Sequence, residues 1–157
     1  GMKIVAFDPY ISVERGRQMN VDMLPLDQLV ATSDFLTVHL PKNKETLGLI
    51  NRDLLVKAKP SLRVINVARG AHLVDDDLLA LMDSGHIAGA TLDVFRTEPL
   101  PPDHAFWRHP AITVTPHTSA RTLRDESIAQ IAAKIERLRA GEAARALPGY
   151  VDPTRGY

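Results

Sequence analysis

Three consecutive runs decide the fold: RVINVARG (63–70), DDDLLALMDS (75–84) closed by Gly85, and ATLDV (90–94). The first and third are apolar with little strict alternation, the pattern of strands covered on both faces. The middle run opens with Asp75, Asp76 and Asp77, and acids are favoured in a helix's first turn by the helix dipole. It ends at a glycine, a common helix stop. Strand, helix and strand joined by short links make a parallel α/β unit with a right-handed crossover.

Working outward, the same alternation continues. Strand-like runs stand at 3–7 (KIVAF), 35–39 (FLTVH) and 112–115 (ITVT), with a shorter edge candidate at 21–24 (VDML). Helical patterns occupy 12–19, with Ser12 as N-cap, and 26–32 after Pro25. A further one covers 51–59, stopped by Pro60. The longest runs over 122–140, where Ile128, Ile131, Ile135 and Leu138 share one face, expected to pack on the core. Residues 98–102 form a stiff Pro-rich loop, and 148–157 a loosely structured tail. The chain shows neither an internal repeat nor an interdomain linker. Its expected class is α/β, a parallel sheet with helices on both faces.

Composition narrows the function. The 157 residues suit a single domain, 45% hydrophobic and 24% charged. Lys plus Arg and Asp plus Glu are balanced at 19 each, which argues against nucleic-acid or anionic-membrane partners. With no cysteine, disulfides, thiol catalysis and Cys-ligated metals are excluded. No apolar run reaches the roughly 20 residues that cross a bilayer. The N-terminus lacks a signal-peptide pattern, so a cytoplasmic location is expected.

In open α/β sheets ligands bind beyond the carboxyl ends of the strands. The residues there are Asp8, Pro9 and Tyr10 after the first run, then His39, Leu40 and Pro41 after the second. Val67, Ala68, Arg69 and Gly70 close the third. Asp93 lies in the fourth and leads to Phe95, Arg96, Thr97, Glu98 and Pro99. Pro116, His117 and Thr118 follow the fifth. An acid, an arginine, a glutamate and a histidine thus gather from distant segments along one edge.

These pieces resemble, in order and spacing, the NAD-dependent D-2-hydroxyacid dehydrogenases, over about residues 1–140. The first half is most similar to D-3-phosphoglycerate dehydrogenases. The second half is more similar to glyoxylate/hydroxypyruvate reductases, through Phe106-Trp107-Arg108-His109-Pro110 and the ending Arg155-Gly156-Tyr157. The resemblance implies a Rossmann-like sheet and hydride transfer between NAD and a small 2-hydroxy or 2-oxo acid. It implies that Arg69 grips the substrate carboxylate, a task suited to a guanidinium fork. It implies that His117 exchanges the proton of the hydroxyl, and that Glu98 orients and tunes His117. Taken singly, these residues read as a surface ion-pair arginine, a solvated histidine and a loop carboxylate.

By the same resemblance the cofactor is met by Asp8, Pro9, His39, Leu40, Pro41, Val67, Ala68, Arg69, Asp93 and His117. Asp8 would accept from the adenosine ribose hydroxyls and repel a 2′-phosphate, favouring NAD over NADP. Its plainer reading is the start of an Asp-Pro turn. Asp93 would stand near the nicotinamide, or else cap a strand end. Asp75, Asp76 and Asp77 read as a helix start, not a metal site. His72, His86 and His104 have no ligand-like spacing. Trp107 and His109 read as loop packing.

The family's Gly-x-Gly-x-x-Gly turn occurs nowhere in the sequence. Residues 1–157 are therefore expected to be one partial NAD-binding domain without its first strand, its Gly-rich turn or a substrate domain. NAD binding by this chain should be weak or absent, and catalysis absent. The alternative is a non-catalytic fragment, recombined piece or scaffold derived from such a dehydrogenase. A silent transcriptional corepressor is disfavoured by the complete Arg69, Glu98 and His117 set. Without the first strand, 3–7 should close directly against 35–39, or a second copy should fill the gap as a homodimer, unless the chain belongs to a longer protein.

Overall fold

A computed structural model describes residues 1–120 and 122–153. The ending 155–157, which carries part of the resemblance, lies outside the described residues. The elements run β1 (Val5–Ala6), α1 (Val13–Gln18), β2 (Asp22–Met23), α2 (Leu26–Thr32), β3 (Phe35–Val38), α3 (Arg52–Leu55), β4 (Arg63–Asn66), α4 (Asp75–Asp83), β5 (Gly89–Leu92), β6 (Ile112–Val114) and α5 (Arg124–Arg139). All pairings between these strands are parallel, as expected of an α/β Rossmann-like fold.

The main sheet has the order β3-β4-β5-β6. Leu36, Val64, Ala90 and Ile112 stand in register across it, and one layer on stand Val38, Asn66, Leu92 and Val114. The core gathers on that face, from Leu29 and Val30 of α2, Leu54 and Leu55 of α3, and Leu78, Leu81 and Met82 of α4. Burying one such side chain contributes about 1.5–3 kcal/mol. On β3 the alternate residues Phe35 and Thr37 are exposed. The two-sided cover predicted for its apolar run is therefore incomplete.

Three expectations are corrected. The run 3–7 does not close against 35–39: β1 pairs with β2 in a separate two-stranded sheet, and β3 pairs with β4. The β1–β2 pair is held instead by side chains, with Val5, Phe7, Leu24 and Leu26 packed against the core cluster. The stripe on α5 is not core. Ile128 is 55% exposed and Ile131 57%, and no residue of the helix is buried. Helical spacing gives α5 an apolar face, but the 3-10 turn Ala144–Ala146 leads the tail past another one, bringing Pro148 and Gly149 to Gln130, Ala133, Lys134 and Arg137. The third correction concerns 51–59, of which only Arg52–Leu55 is α-helical. Lys57 N–H and Ala58 N–H donate to Leu54 and Leu55 carbonyls, so the chain tightens into three-residue turns before Pro60.

Candidate active site at the carboxyl ends of the strands

Three loops leave the ends of β4, β5 and β6, and each is fixed by one buried or ion-paired side chain. After β4, Asn66 is wholly buried. Its Oδ1 accepts from Ala68 N–H at 3.1 Å and its Nδ2 donates to the Arg69 carbonyl at 3.0 Å. This folds residues 66–69 into a turn that sends the Arg69 side chain outward, where Nη1 donates to the Ala68 carbonyl at 2.6 Å. Gly70 follows because nothing larger fits: a Cβ there would stand 2.0 Å from the Phe95 carbonyl carbon. The arginine turn and the glutamate loop are therefore in backbone contact.

After β5, Phe95 N–H donates to Glu98 Oε1 at 2.9 Å. The other oxygen, Oε2, stands 2.8 Å from Nδ1 of His117. The His117 hydrogen bond, then the Phe95 N–H, outweigh desolvation and hold the Glu98 carboxyl below the usual carboxylate range; the Arg69 charge adds to this from nearby. Arg96 turns the other way, donating through Nε and Nη2 to the Leu73 carbonyl, and the Glu98–Pro99 peptide is cis.

After β6, the turn carrying His117 is anchored from below. Asp93 is 1% exposed. Its Oδ1 accepts from Thr115 Oγ1 and from Thr118 N–H at 2.9 Å, and its Oδ2 from Ser119 N–H at 2.9 Å. Burial pushes this carboxyl up, but the hydrogen bonds from Ser119, Thr115 and Thr118 together carry it well below the usual range. The anchored turn holds His117 at φ 53°, a left-handed conformation uncommon outside glycine.

A cleft of about 540 Å³ opens beside these loops, lined by His39, Leu40, Pro41, Lys42, Val67, Ala68 and Arg69. It brings together six of the sequence-predicted cofactor positions from the ends of β3 and β4. Glu98 and His117, expected to pair, do so. Asp93 lies beneath the His117 turn with both carboxylate oxygens occupied. Asp8 and Pro9 are exposed at the end of β1, and Asp8 Oδ1 accepts from Tyr10 N–H at 2.8 Å, an Asx turn.

Several participants were not anticipated. Lys42 adds a cation to the cleft wall, next to a motif read only as far as Pro41. Asn66 and Thr115 build the turns through side chains to which no role was given, and Thr118 and Ser119 through main-chain N–H groups, which leave no mark in side-chain chemistry. Of the acids opening α4, Asp77 accepts from Arg52 N–H at 2.9 Å and Asp75 lies 3.7 Å from His104. No cluster suited to a metal occurs among the described residues.

Comparison with known proteins gives the family. The chain is 51% identical over 118 residues to the glyoxylate/hydroxypyruvate reductase A of Serratia proteamaculans (strain 568), a match spanning 75% of the chain and 37% of that relative. Over its whole length it superposes on 64% of a D-isomer specific 2-hydroxyacid dehydrogenase from Xanthobacter autotrophicus Py2, solved with NADPH and MES, with TM-score 0.89 and 34% identity. It likewise superposes on 50% of an NADPH-dependent glyoxylate/hydroxypyruvate reductase from Sinorhizobium meliloti, solved with NADP and sulfate, with TM-score 0.89 and 32% identity. The chain thus spans well under the full length of these relatives. A sequence model of the D-isomer specific 2-hydroxyacid dehydrogenase NAD binding domain matches residues 1–119, and the chain belongs to that family as an NAD(P)-binding domain.

Proposed function

We propose that residues 1–157 are one nucleotide-binding unit of a dehydrogenase. Its reaction moves a hydride between NAD and a small D-2-hydroxy or 2-oxo acid of the glyoxylate, hydroxypyruvate or phosphohydroxypyruvate kind. The observation carrying this reading is the 2.8 Å contact of His117 Nδ1 with Glu98, beside the cleft that Arg69 lines. With Nδ1 committed to the carboxylate, Nε2 is the nitrogen left to face a substrate. In the reductive direction the Arg69 guanidinium holds the acid's carboxylate. His117 gives its Nε2 proton to the carbonyl oxygen, and Glu98 steadies the ring.

The cleft fits the cofactor. Its volume is in the range of small-molecule sites. Leu40, Pro41, Val67 and Ala68 offer apolar surface, with the cations Lys42 and Arg69 at hand. Bound nicotinamide supplies the hydride. Asp8, exposed at the end of β1, favours NAD, because its negative charge opposes a 2′-phosphate. The reading carries with it a cytoplasmic location. It also carries a homodimer that covers the open edges of β1 and β3, since unpaired edges invite pairing; light scattering checks this.

Calorimetric titration with NADH and NADPH is the first test. NADH should bind the more tightly, and weakly, because these 157 residues contain no Gly-x-Gly-x-x-Gly turn for the pyrophosphate. Asp8→Ser should narrow the difference; a preference for NADPH would overturn the assignment. NADH oxidation with the three oxo acids is the second. No turnover is expected of these 157 residues alone, and turnover would overturn the other reading, a non-catalytic piece or scaffold derived from such a dehydrogenase.

A further inference from the structure

His72 closes the 3-10 turn Gly70–His72 that begins just after Arg69, and its side chain is wholly buried. Nε2 lies 3.3 Å from the carbonyl oxygen of Pro41, a residue 31 positions earlier that lines the cleft from the end of β3. Nδ1 is buried without a hydrogen-bond partner among the described residues. A carbonyl only accepts, so the ring proton sits on Nε2 and Nδ1 is a bare lone pair. Charging the ring would add an N–H with nothing to meet it. Desolvation lowers its pKa, the Pro41 carbonyl partly offsets this, and the Arg69 and Lys42 cations lower it again. The ring is thus neutral and a single-direction donor.

The group it holds organises the wall. Pro41 carbonyl also accepts from Thr46 Oγ1 at 2.7 Å, which in turn accepts from Asn43 N–H at 3.0 Å. Asn43 Oδ1 accepts from the N–H groups of Glu45 and Thr46 at 3.0 Å. Residues 41–46 are therefore folded around one carbonyl, which His72 ties to the Arg69 turn. We propose that His72 is a positioning residue that fixes the Pro41 wall of the cleft against the Arg69 wall and so sets the cleft's width for a flat cofactor ring. The last clause rests on the cleft being a cofactor site; the tie itself does not.

Three variants and one spectrum test this. Glutamine can place an amide N–H where Nε2 stands, leucine has no donor, and asparagine is too short to reach. In the ligand-free chain His72→Leu and His72→Asn should speed amide hydrogen exchange at Asn43 and Thr46 by about fivefold to tenfold, the loss of one ordinary hydrogen bond. Exchange at Ile65 and Thr91 in the sheet should not change, and His72→Gln should restore the loop to within about twofold. NADH affinity should fall by a similar factor in the first two and recover in the third. Unchanged loop exchange, or exchange raised equally across the sheet, would overturn the proposal. If the leucine and asparagine chains do not fold, nitrogen-15 spectra of the native ring decide: protonated Nε2 is expected, and a proton on Nδ1 would overturn it. Should the native chain bind no NADH, the functional reading falls for this chain while loop exchange still judges the tie.

Discussion

The main sheet and the β1–β2 pair are made from similar apolar runs with similar connections, yet they are held very differently. Every residue of the buried core cluster comes from Leu29 onward; the first 28 residues contribute only partly buried side chains to it. β4 has neighbours on both edges, whereas β1 has β2 alone. The lesson concerns where precision resides. The loops that carry Arg69, Glu98 and His117 all leave the closed sheet; buried Asn66 and Asp93 fix the first and the last, and the ion pair with His117 fixes the Glu98 loop. Asp8 leaves the open pair and sits in a turn of its own making. A site that must hold several groups to within a fraction of an ångström belongs on the closed half.

The sharpest way to break this contrast is at the two glycines. Gly70→Ala would drive a methyl into the Phe95–Arg96 main chain, 2.0 Å from the Phe95 carbonyl carbon. Neither loop can yield without disturbing the Glu98 contact, so urea unfolding should show a loss of about 3 kcal/mol or more. Gly16→Ala, in α1 of the open half, would meet Met23 Cγ at 2.5 Å and the Val21 carbonyl oxygen at 2.9 Å. The methionine can swing aside, and a helix interior prefers alanine. The expected loss is about 1 kcal/mol, near the lower end for overpacking. Equal costs at the two positions would mean that the halves are equally rigid.

Asp93→Asn comes between them. It removes the charge that gathers Thr115, Thr118 and Ser119, and its amide group cannot accept where it must donate. Hydrogen bonds to a charged acceptor make a loss of about 2 kcal/mol the expectation. The pH dependence has a definite sign. The folded carboxyl lies below its unfolded value, so its contribution is complete above the ordinary aspartate pKa of about 3.9 and fades as pH falls from there through the folded value. The gap between the native chain and Asp93→Asn should therefore be flat from neutral pH down to that point and shrink below it. A gap that shrinks already near neutrality would show that Asp93 is not the anchor.

Much of this was legible in the sequence for a physical reason. Strands of a parallel sheet are short apolar runs, and each of the six expected runs overlaps one. Residues placed just past them reach the same edge whatever the loops do, which is why 39–41 and 67–69 meet in one cleft. The paired Glu98 and His117 were legible through their motif. Main-chain donors were not, since Thr118 and Ser119 act through N–H groups that any residue has. His72 was weighed only as a metal ligand, and the spacing that excludes a metal says nothing of a donor to a distant carbonyl. Strand pairing across the β1–β3 gap was misjudged because an apolar run shows that a strand wants a neighbour, not which one it has.

The smallest expected effect lies on α5, where the same ambiguity can be measured. Ile131 sits in the middle of the stripe and is 57% exposed; Leu92, at the centre of the main sheet, is wholly buried. Both read as core in the sequence, one by helical spacing and one by its place in a strand. Truncating Leu92 to alanine leaves a cavity and should cost about 2–5 kcal/mol. Truncating Ile131 removes methyl groups more than half in water and replaces a β-branched residue by the best helix former. The change should fall within about 0.5 kcal/mol of zero. Thermal unfolding of the two variants at low concentration reads the difference directly. If Ile131→Ala were to cost as much as Leu92→Ala, the stripe would be covered in solution, and light scattering at rising concentration would then tell a second copy of the chain from a rearranged helix.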